Sequence, residues 1–153
     1  MRLLVFAFAA LSGCEKSCPD VSRLDGGYAV YMAPADSSKT AWDEVFASGW
    51  TEWDMSYVPA RQDFDLTVEG QPYTASYTGD SADCDAFTFG FDGTWLADNG
   101  DVHSFTWSGD LKIAGVHIQG TYTFNDNWTD PNTGDQGSLS TQDGSFTANT
   151  RSD

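Results

Sequence analysis

Residues 87–91 read Phe-Thr-Phe-Gly-Phe, three large apolar side chains separated by single small or polar residues. The same alternation occurs upstream at residues 64–68 (Phe-Asp-Leu-Thr-Val) and downstream at residues 103–107 (His-Ser-Phe-Thr-Trp). A period of two places every second side chain on one face of a β-strand, so that one face packs on a core and the other meets water. These stretches predict an antiparallel sheet.

The alternation and the turn residues between the apolar runs predict about nine strands. Asn99-Gly100 predicts a type I′ hairpin that joins residues 94–97 to residues 102–107. Ser108-Gly109-Asp110 and Asp143-Gly144 are interpreted as two further turns. The sequence therefore predicts an all-β fold, a single antiparallel β-barrel or β-sandwich, and it does not choose between them. The other predicted strands lie at residues 27–33, 50–57, 73–77, 111–113, 116–118 and 122–124.

One short helix is predicted near residues 41–48. Thr40 can cap its N-terminus, and Trp42, Val45 and Phe46 recur at the spacing of one helical face. Such a helix would cover one end of the sheet.

A glycine followed by Thr or Ser and an aromatic residue recurs at Gly93, Gly120 and Gly144. Glycine adopts backbone angles that other residues avoid. We therefore expect these glycines where the chain leaves a turn, with the aromatic residue then entering the core.

The N-terminus carries a positive charge at Arg2, an apolar run at residues 3–11, and then Leu11-Ser12-Gly13-Cys14. Nine apolar residues are too few to span a bilayer, which takes about twenty, and they match the apolar core of a signal peptide. The final four residues resemble the lipobox of bacterial lipoproteins. The resemblance implies lipid attachment at the Sγ of Cys14 and removal of the preceding residues. Glu15 in place of Asp after the cysteine then favours the outer membrane.

This resemblance divides the chain into a signal peptide (residues 1–13), a lipidated N-terminus with a short tether (residues 14–26), an antiparallel β domain (residues 27–149) and a frayed tail (residues 150–153). Without the signal peptide, six basic residues remain against 23 acidic ones, a net charge of −17. Nucleic acid is excluded as an expected partner, because phosphate binding needs a basic face.

Two cysteines remain beside the lipidated one, Cys18 and Cys84. Thiols outside the cytoplasm tend to pair. We therefore expect a disulfide that ties the tether to the domain.

A turn-prone acidic stretch at residues 125–135 offers oxygen ligands from Asp126, Asp130, Asn132 and Asp135. Calcium takes six to eight such oxygens from flexible loops. The stretch is thus a candidate calcium site, with a solvated Asx-rich loop as the alternative.

Trp50, Trp53 and Trp128 are candidate ligand-binding residues, and ordinary packing is their alternative role. Trp50 and Trp53 differ in strand parity, so at least one of them is expected to point outward. Exposed indoles next to acidic loops are typical of carbohydrate-binding β domains.

The sequence predicts a non-enzymatic, lipid-anchored protein of the cell envelope that binds or scaffolds a partner, with carbohydrate or cell-wall glycan first and an envelope protein second. One alternative is a lipocalin-like carrier of a small apolar ligand. The other is a glycan or ester hydrolase: Glu52-x-Asp54 is similar to part of the catalytic strand of laminarinase-type glycosidases, but Tyr57 stands where the second Glu would fall. No catalytic residues are assigned, and calcium is the only cofactor considered.

Overall fold

In the computed structural model, the described residues are 21–38, 46, 50–79, 83–115 and 117–151. They form one 3-10 helix, Val21–Leu24, and eight strands. The strands are β1 (Gly26–Pro34), β2 (Trp50–Val58), β3 (Asp63–Val68), β4 (Gln71–Gly79), β5 (Ala86–Leu96), β6 (Val102–Ala114), β7 (His117–Thr129) and β8 (Gln136–Thr150).

The eight strands form a closed barrel in which each strand pairs with the next along the chain. Every pair is antiparallel, and β8 returns to pair with β1, where Tyr28 is the register partner of Thr150. Closure leaves no unpaired sheet edge. The all-β antiparallel prediction is confirmed, and of the two architectures left open the chain adopts the barrel.

The inner face of the barrel is filled by the apolar half of each alternating run. In β6 the buried and exposed residues alternate strictly from Val102 to Lys112. Trp53, Phe91 and Trp107 contact one another at ring-centroid distances of 5.3–5.7 Å. An eight-stranded barrel is just wide enough for its interior to be filled by side chains. The buried aromatic rings are those of Tyr28, Phe46, Trp53, Phe64, Phe87, Phe89, Phe91, Phe105, Trp107, Tyr122, Phe124 and Phe146.

Two predicted turns are wrong, because Ser108-Gly109-Asp110 lies inside β6 and Asp143-Gly144 lies inside β8. At position 109 a Cβ atom would lie 2.6 Å from Cη2 of Trp107. Glycine is there to make room for an aromatic ring, so the strand continues where a turn was expected. The predicted runs on either side merge into longer strands, and the described residues form eight strands.

Gly93, Gly120 and Gly144 were expected where the chain leaves a turn. That interpretation is wrong, because all three lie within strands. None of the three has a positive φ. A Cβ at Gly93 would meet the rings of Tyr73 at 2.6 Å and Phe105 at 2.8 Å. At the other two glycines it would collide with a backbone carbonyl of the neighbouring strand. Close approach, and not an unusual backbone angle, requires glycine at these positions.

The β5–β6 hairpin forms where Asn99-Gly100 predicted it, but not through a type I′ turn. A type I′ turn needs positive φ at both central residues, and only Gly100 has it, with φ +93°. Five residues, 97–101, connect the strands, and the N–H of Gly100 donates to the carbonyl of Ala97. The Asn99 side-chain oxygen accepts from the N–H of Asp101 and holds the wider turn.

The barrel has two distinct ends, which we call upper and lower. The upper end holds residues 35–38, Phe46 and the turns at residues 69–70, 97–101 and 130–135, and the lower end holds the 3-10 helix and residues 59–62, 83–85 and 115. The predicted helix near residues 41–48 lies outside the described residues apart from Phe46. The buried ring of Phe46 packs at the upper end on Phe105 (5.4 Å) and Tyr73 (6.3 Å). No helix in the described part of the chain is long and apolar enough to cross a membrane.

Candidate functional site at the upper mouth

A histidine and an aspartate are paired inside the barrel near its upper end. His103 is the second residue of β6 and Asp126 lies near the end of β7. Their exposed fractions are 4% and 0%, and Nδ1 of His103 lies 2.7 Å from a carboxylate oxygen of Asp126. Burying a carboxylate is costly unless a hydrogen-bonded partner compensates. The imidazole supplies such a partner.

His103 belongs to a layer of side chains that lines the upper mouth. In the register it lies between Trp95 of β5 and Trp128 of β7, and Trp128 is opposite Gly137 of β8. The ring of Trp95 packs on His103 with centroids 4.1 Å apart. A Cβ at position 137 would lie 2.5 Å from the indole nitrogen of Trp128, so glycine lets that ring lie over β8. The mouth is thus formed by two indoles and an imidazole.

The register of β7 and β8 shifts beside this layer, between Asp126 and Asn127. Such bulges re-aim side chains and are frequent at barrel rims and next to functional sites. The shift lies between the two inward-facing side chains of β7 that belong to the mouth, Asp126 and Trp128.

The four predicted calcium ligands are not brought together as one loop. The loop expected at residues 125–135 is shorter, because β7 continues to Thr129. Asp126 therefore lies inside the barrel, while Asp130, Asn132 and Asp135 are in the turn at residues 130–135. No cluster of three metal-ligating side chains occurs among the described residues.

Asp130 serves the turn in which it lies. Its carboxylate accepts from the backbone N–H of Asn132 at 2.7 Å and from the Thr133 hydroxyl at 3.0 Å. These bonds favour the ionised form, and the N–H of Asn132, followed by the Thr133 hydroxyl, lowers the pKa of the Asp130 carboxyl. The Asp130 carboxylate therefore stabilises the turn in which it lies.

The three predicted tryptophans have three different positions. Trp50 is 54% exposed on the outer face, and Trp53 is 2% exposed in the core, as their opposite parity requires. Trp128 is half-buried in the mouth and belongs to β7, not to a loop. Only Trp50 is a solvent-facing platform: its ring lies against the exposed ring of Tyr31 with centroids 5.4 Å apart.

Charge is distributed unevenly between the two ends. The described basic residues are Arg23, Arg61, Lys112 and Arg151, and all four lie towards the lower end in ion pairs with carboxylates. The described part of the upper end has no basic residue, and its turns carry Glu69, Asp98, Asp101, Asp130 and Asp135. The described turns around the upper mouth therefore carry only negative charge.

Glu52 and Asp54, which resemble part of a hydrolase motif, both form ion pairs with Arg151. The guanidinium lies 2.7 Å from a carboxylate oxygen of Glu52 and also contacts Asp54, and the Arg151 N–H donates to the carbonyl of Gly27. Arg151 was expected in a frayed tail, yet it joins the end of the chain to β1 and β2.

Of the three cysteines with a predicted role, Cys84 lies among the described residues. Cys84 is half-buried just before β5, and its carbonyl accepts from Arg23. Cys14 and Cys18 lie outside the described residues, so lipidation and the Cys18–Cys84 disulfide stay predictions.

Sequence reasoning missed the mouth because it ended β7 too early. His103 shares parity with Phe105 and Trp107, and Asp126 shares parity with Tyr122 and Phe124. Extending the alternation of β7 by one step would have placed Asp126 inside the barrel. No local pattern pairs it with a histidine 23 residues away; that requires the register of β6 against β7.

No protein-family model, no curated protein and no solved structure matches this chain.

Proposed function

We propose that this protein is a lipid-anchored, non-enzymatic binding module of the bacterial cell envelope, and that carbohydrate or cell-wall glycan is its ligand. The observation that carries the proposal is the Tyr31–Trp50 pair. Its two rings are exposed and in contact on the outer face, next to the upper end. Large aromatic rings supply apolar contact area at small entropic cost, and they are enriched where a protein meets a partner.

The position of the pair suits a protein held at its other end. Val21 begins the 3-10 helix at the lower end and is the seventh residue after Cys14. Seven extended residues span about 25 Å at most. With a lipid on Cys14, the lower end is held near the bilayer and the upper end faces away from it, where a glycan can reach Trp50.

The glycan proposal is tested by titrating soluble cell-wall glycan fragments into the purified full chain. Replacing Trp50 with alanine should weaken binding at least about tenfold, because an aromatic anchor contributes more than about 1.4 kcal/mol. The matched control is Leu96→Ala, which removes an apolar side chain that is 71% exposed at the same end. If no glycan binds, or if both variants bind alike, the platform is not the site.

The anchor is tested separately with Cys14→Ser. Attachment through acyl chains depends on the cysteine sulfur, and each buried methylene contributes about 0.8 kcal/mol to membrane binding. The variant should leave the membrane fraction or accumulate unprocessed. Unchanged fractionation would contradict the lipoprotein assignment and the outer-membrane location that goes with it.

We propose calcium only as an aid to glycan binding, with Asp130, Asn132 and Asp135 among its ligands. Because Asp130 already accepts bonds within its turn, calcium would have to draw further oxygens from outside that turn. An increase in melting temperature with calcium that a chelator reverses would support this part of the proposal.

The second candidate function is a carrier of a small apolar ligand, and the observation favouring it is the closed eight-stranded barrel. Such barrels either fill with side chains or hold one small ligand. Here Phe64, Phe89, Phe105 and Phe124 are among the fully buried side chains, so a ligand would have to displace rings or occupy the mouth. A lipid retained by the purified protein in native mass spectra would favour the carrier.

The non-enzymatic part of the proposal rests on the surroundings of His103. Its ring packs on Trp95 and its Nδ1 is bonded to Asp126. Within the described residues, no hydroxyl or thiol bonds to this imidazole, so the geometry of a nucleophile with its base is not assembled there. Turnover of a glycan or ester substrate by the purified protein would contradict the proposal.

A further inference from the structure

The upper mouth has a chemistry that differs from the outer aromatic platform. We propose that the mouth binds a small organic ligand through its protonated primary amine, with the indoles of Trp95 and Trp128 beside it and Nε2 of His103 as hydrogen-bond acceptor. This inference does not depend on glycan binding.

The first step is the tautomer of His103, assigned from its hydrogen bond. An ionised carboxylate only accepts hydrogen bonds, so in the 2.7 Å contact with Asp126 the donor is Nδ1 of His103. In the neutral imidazole the other nitrogen, Nε2, is then an acceptor. No described residue bonds to Nε2. The mouth therefore contains an oriented acceptor, which suits the N–H donors of an ammonium group.

The second step is the pair of indoles on either side of this acceptor. Trp95 and Trp128 are the register partners of His103 on the two neighbouring strands, and both are half-buried. The face of an indole attracts cations, and the attraction strengthens as the site loses water. The apolar part of an organic amine would also find contact area on these rings.

The third step is the electrostatic field of the upper end. The turns beside the mouth carry Asp98, Asp101, Asp130 and Asp135, and the described part of this end contains no Lys or Arg. Clefts lined by one sign of charge concentrate ligands of the opposite sign. Anions are disfavoured here. A bare metal ion is a poorer fit than an organic cation, because the described residues offer it no cluster of three ligands.

The test is a calorimetric titration of the full chain in non-ionic detergent with three probes of similar size: benzylammonium, benzyl alcohol and benzyltrimethylammonium. We expect saturable binding of benzylammonium, with the neutral alcohol at least about tenfold weaker because it lacks the charge. The trimethylated probe should bind about fivefold more weakly than benzylammonium, because it has no N–H to donate to Nε2. Equal binding of alcohol and amine, equal binding of the two cations, or no saturable binding of benzylammonium would overturn the proposal.

Variants then locate the site. His103→Phe keeps a ring against Trp95 and removes Nε2, and it should weaken benzylammonium binding about tenfold. Because that variant removes the partner of a buried carboxylate and can fail to fold, a second variant changes the upper turns alone. Asp98→Asn combined with Asp135→Asn should weaken binding about threefold at low ionic strength and much less at high salt.

The matched control is Asp92→Asn combined with Asp110→Asn. It removes the same charge from exposed positions on the outer face of β5 and β6. We expect this control to bind benzylammonium like the unmodified chain. Equal loss in both double variants would show that only the net charge of the protein matters, and it would overturn the assignment to the mouth.

Discussion

At the scale of single residues, His103 and Asp126 form a buried hydrogen-bonded pair inside the described barrel. The ion pairs of Lys and Arg in the described chain join surface residues towards the lower end. The contribution of the His103–Asp126 pair to stability depends far more on its surroundings than that of the surface ion pairs. A charged group away from water interacts strongly with its partner and is costly to leave without compensation.

His103→Leu should lower the free energy of unfolding by about 3 kcal/mol, because the Asp126 carboxylate stays buried without its imidazole donor. Asp126→Leu should be similarly costly. The double variant His103→Leu/Asp126→Leu should lose less than the sum of the two single losses, since neither polar side chain is then buried without the other. Urea denaturation of the four proteins measures the coupling. Additive losses would show that the two side chains do not stabilise each other.

The Asp130 carboxylate gives stability a dependence on pH. Its folded-state pKa lies below the ordinary value of 3.8, so its contribution is present above that value and is lost as the pH falls through the folded-state pKa. Asp130→Asn should therefore be less stable than the unmodified chain at neutral pH, and the difference should shrink in strong acid.

The control for this prediction lies in the same turn. In the described part of the chain the side chain of Asp135 accepts no hydrogen bond, so Asp135→Asn should leave the stability at neutral pH almost unchanged. A difference between Asp130→Asn and the unmodified chain that is the same at every pH would contradict the assigned role of the charge.

At the scale of the element, the packing of β6 depends on its glycine at position 109. The strand continues from Val102 to Ala114 without a break in parity. Gly109 faces inward, and a Cβ there would meet the ring of Trp107, the side chain of Leu111 and the backbone carbonyl of Thr121. The absence of a side chain at this position is part of the packing of the core.

Gly109→Ala should lower the free energy of unfolding by about 1–3 kcal/mol, because its Cβ would lie 2.6 Å from the ring of Trp107 and force that ring to move. Ser108→Ala is the matched control. It changes the adjacent outward-facing residue of the same strand and should change stability by less than about 0.5 kcal/mol. Thermal unfolding followed by circular dichroism compares them, and equal effects would show that position 109 has room for a methyl group.

The strands themselves could be predicted from the sequence, and their lengths could not. Alternation at Phe87, Phe89 and Phe91 specifies both the strand and the face that is buried. Gly109 and Gly144 have the composition of a turn, and only the rings packed against them show that they lie in strands. The contact of His103 with Asp126 depends on the register between two strands, which the pattern of either strand alone does not contain.

At the scale of the whole molecule, the barrel has one continuous core. Rings from β2, β5 and β6 meet at its centre, and β7 and β8 contribute Tyr122 and Phe146 to the same cluster. A single core of this kind is expected to unfold in one cooperative transition.

Tryptophan fluorescence and far-ultraviolet circular dichroism should therefore give the same denaturation midpoint. The buried indoles of Trp53 and Trp107 report on the core, and the dichroism reports on the strands. Trp50→Phe, which removes an exposed indole, should leave the fluorescence midpoint where it was. Separate midpoints for the two signals would show that part of the barrel opens independently of the rest.

The pairing of β8 with β1 also sets the order of events in the cell. The ribosome makes β1 before the seven other described strands, and Tyr28 must find Thr150 across all of the strands between β1 and β8. Until the last strand has been made, a nascent chain carries two unpaired edges and an aromatic lining that no partner covers. The barrel can close only after β8 has been made, so every shorter nascent chain exposes the surfaces on which aggregation starts.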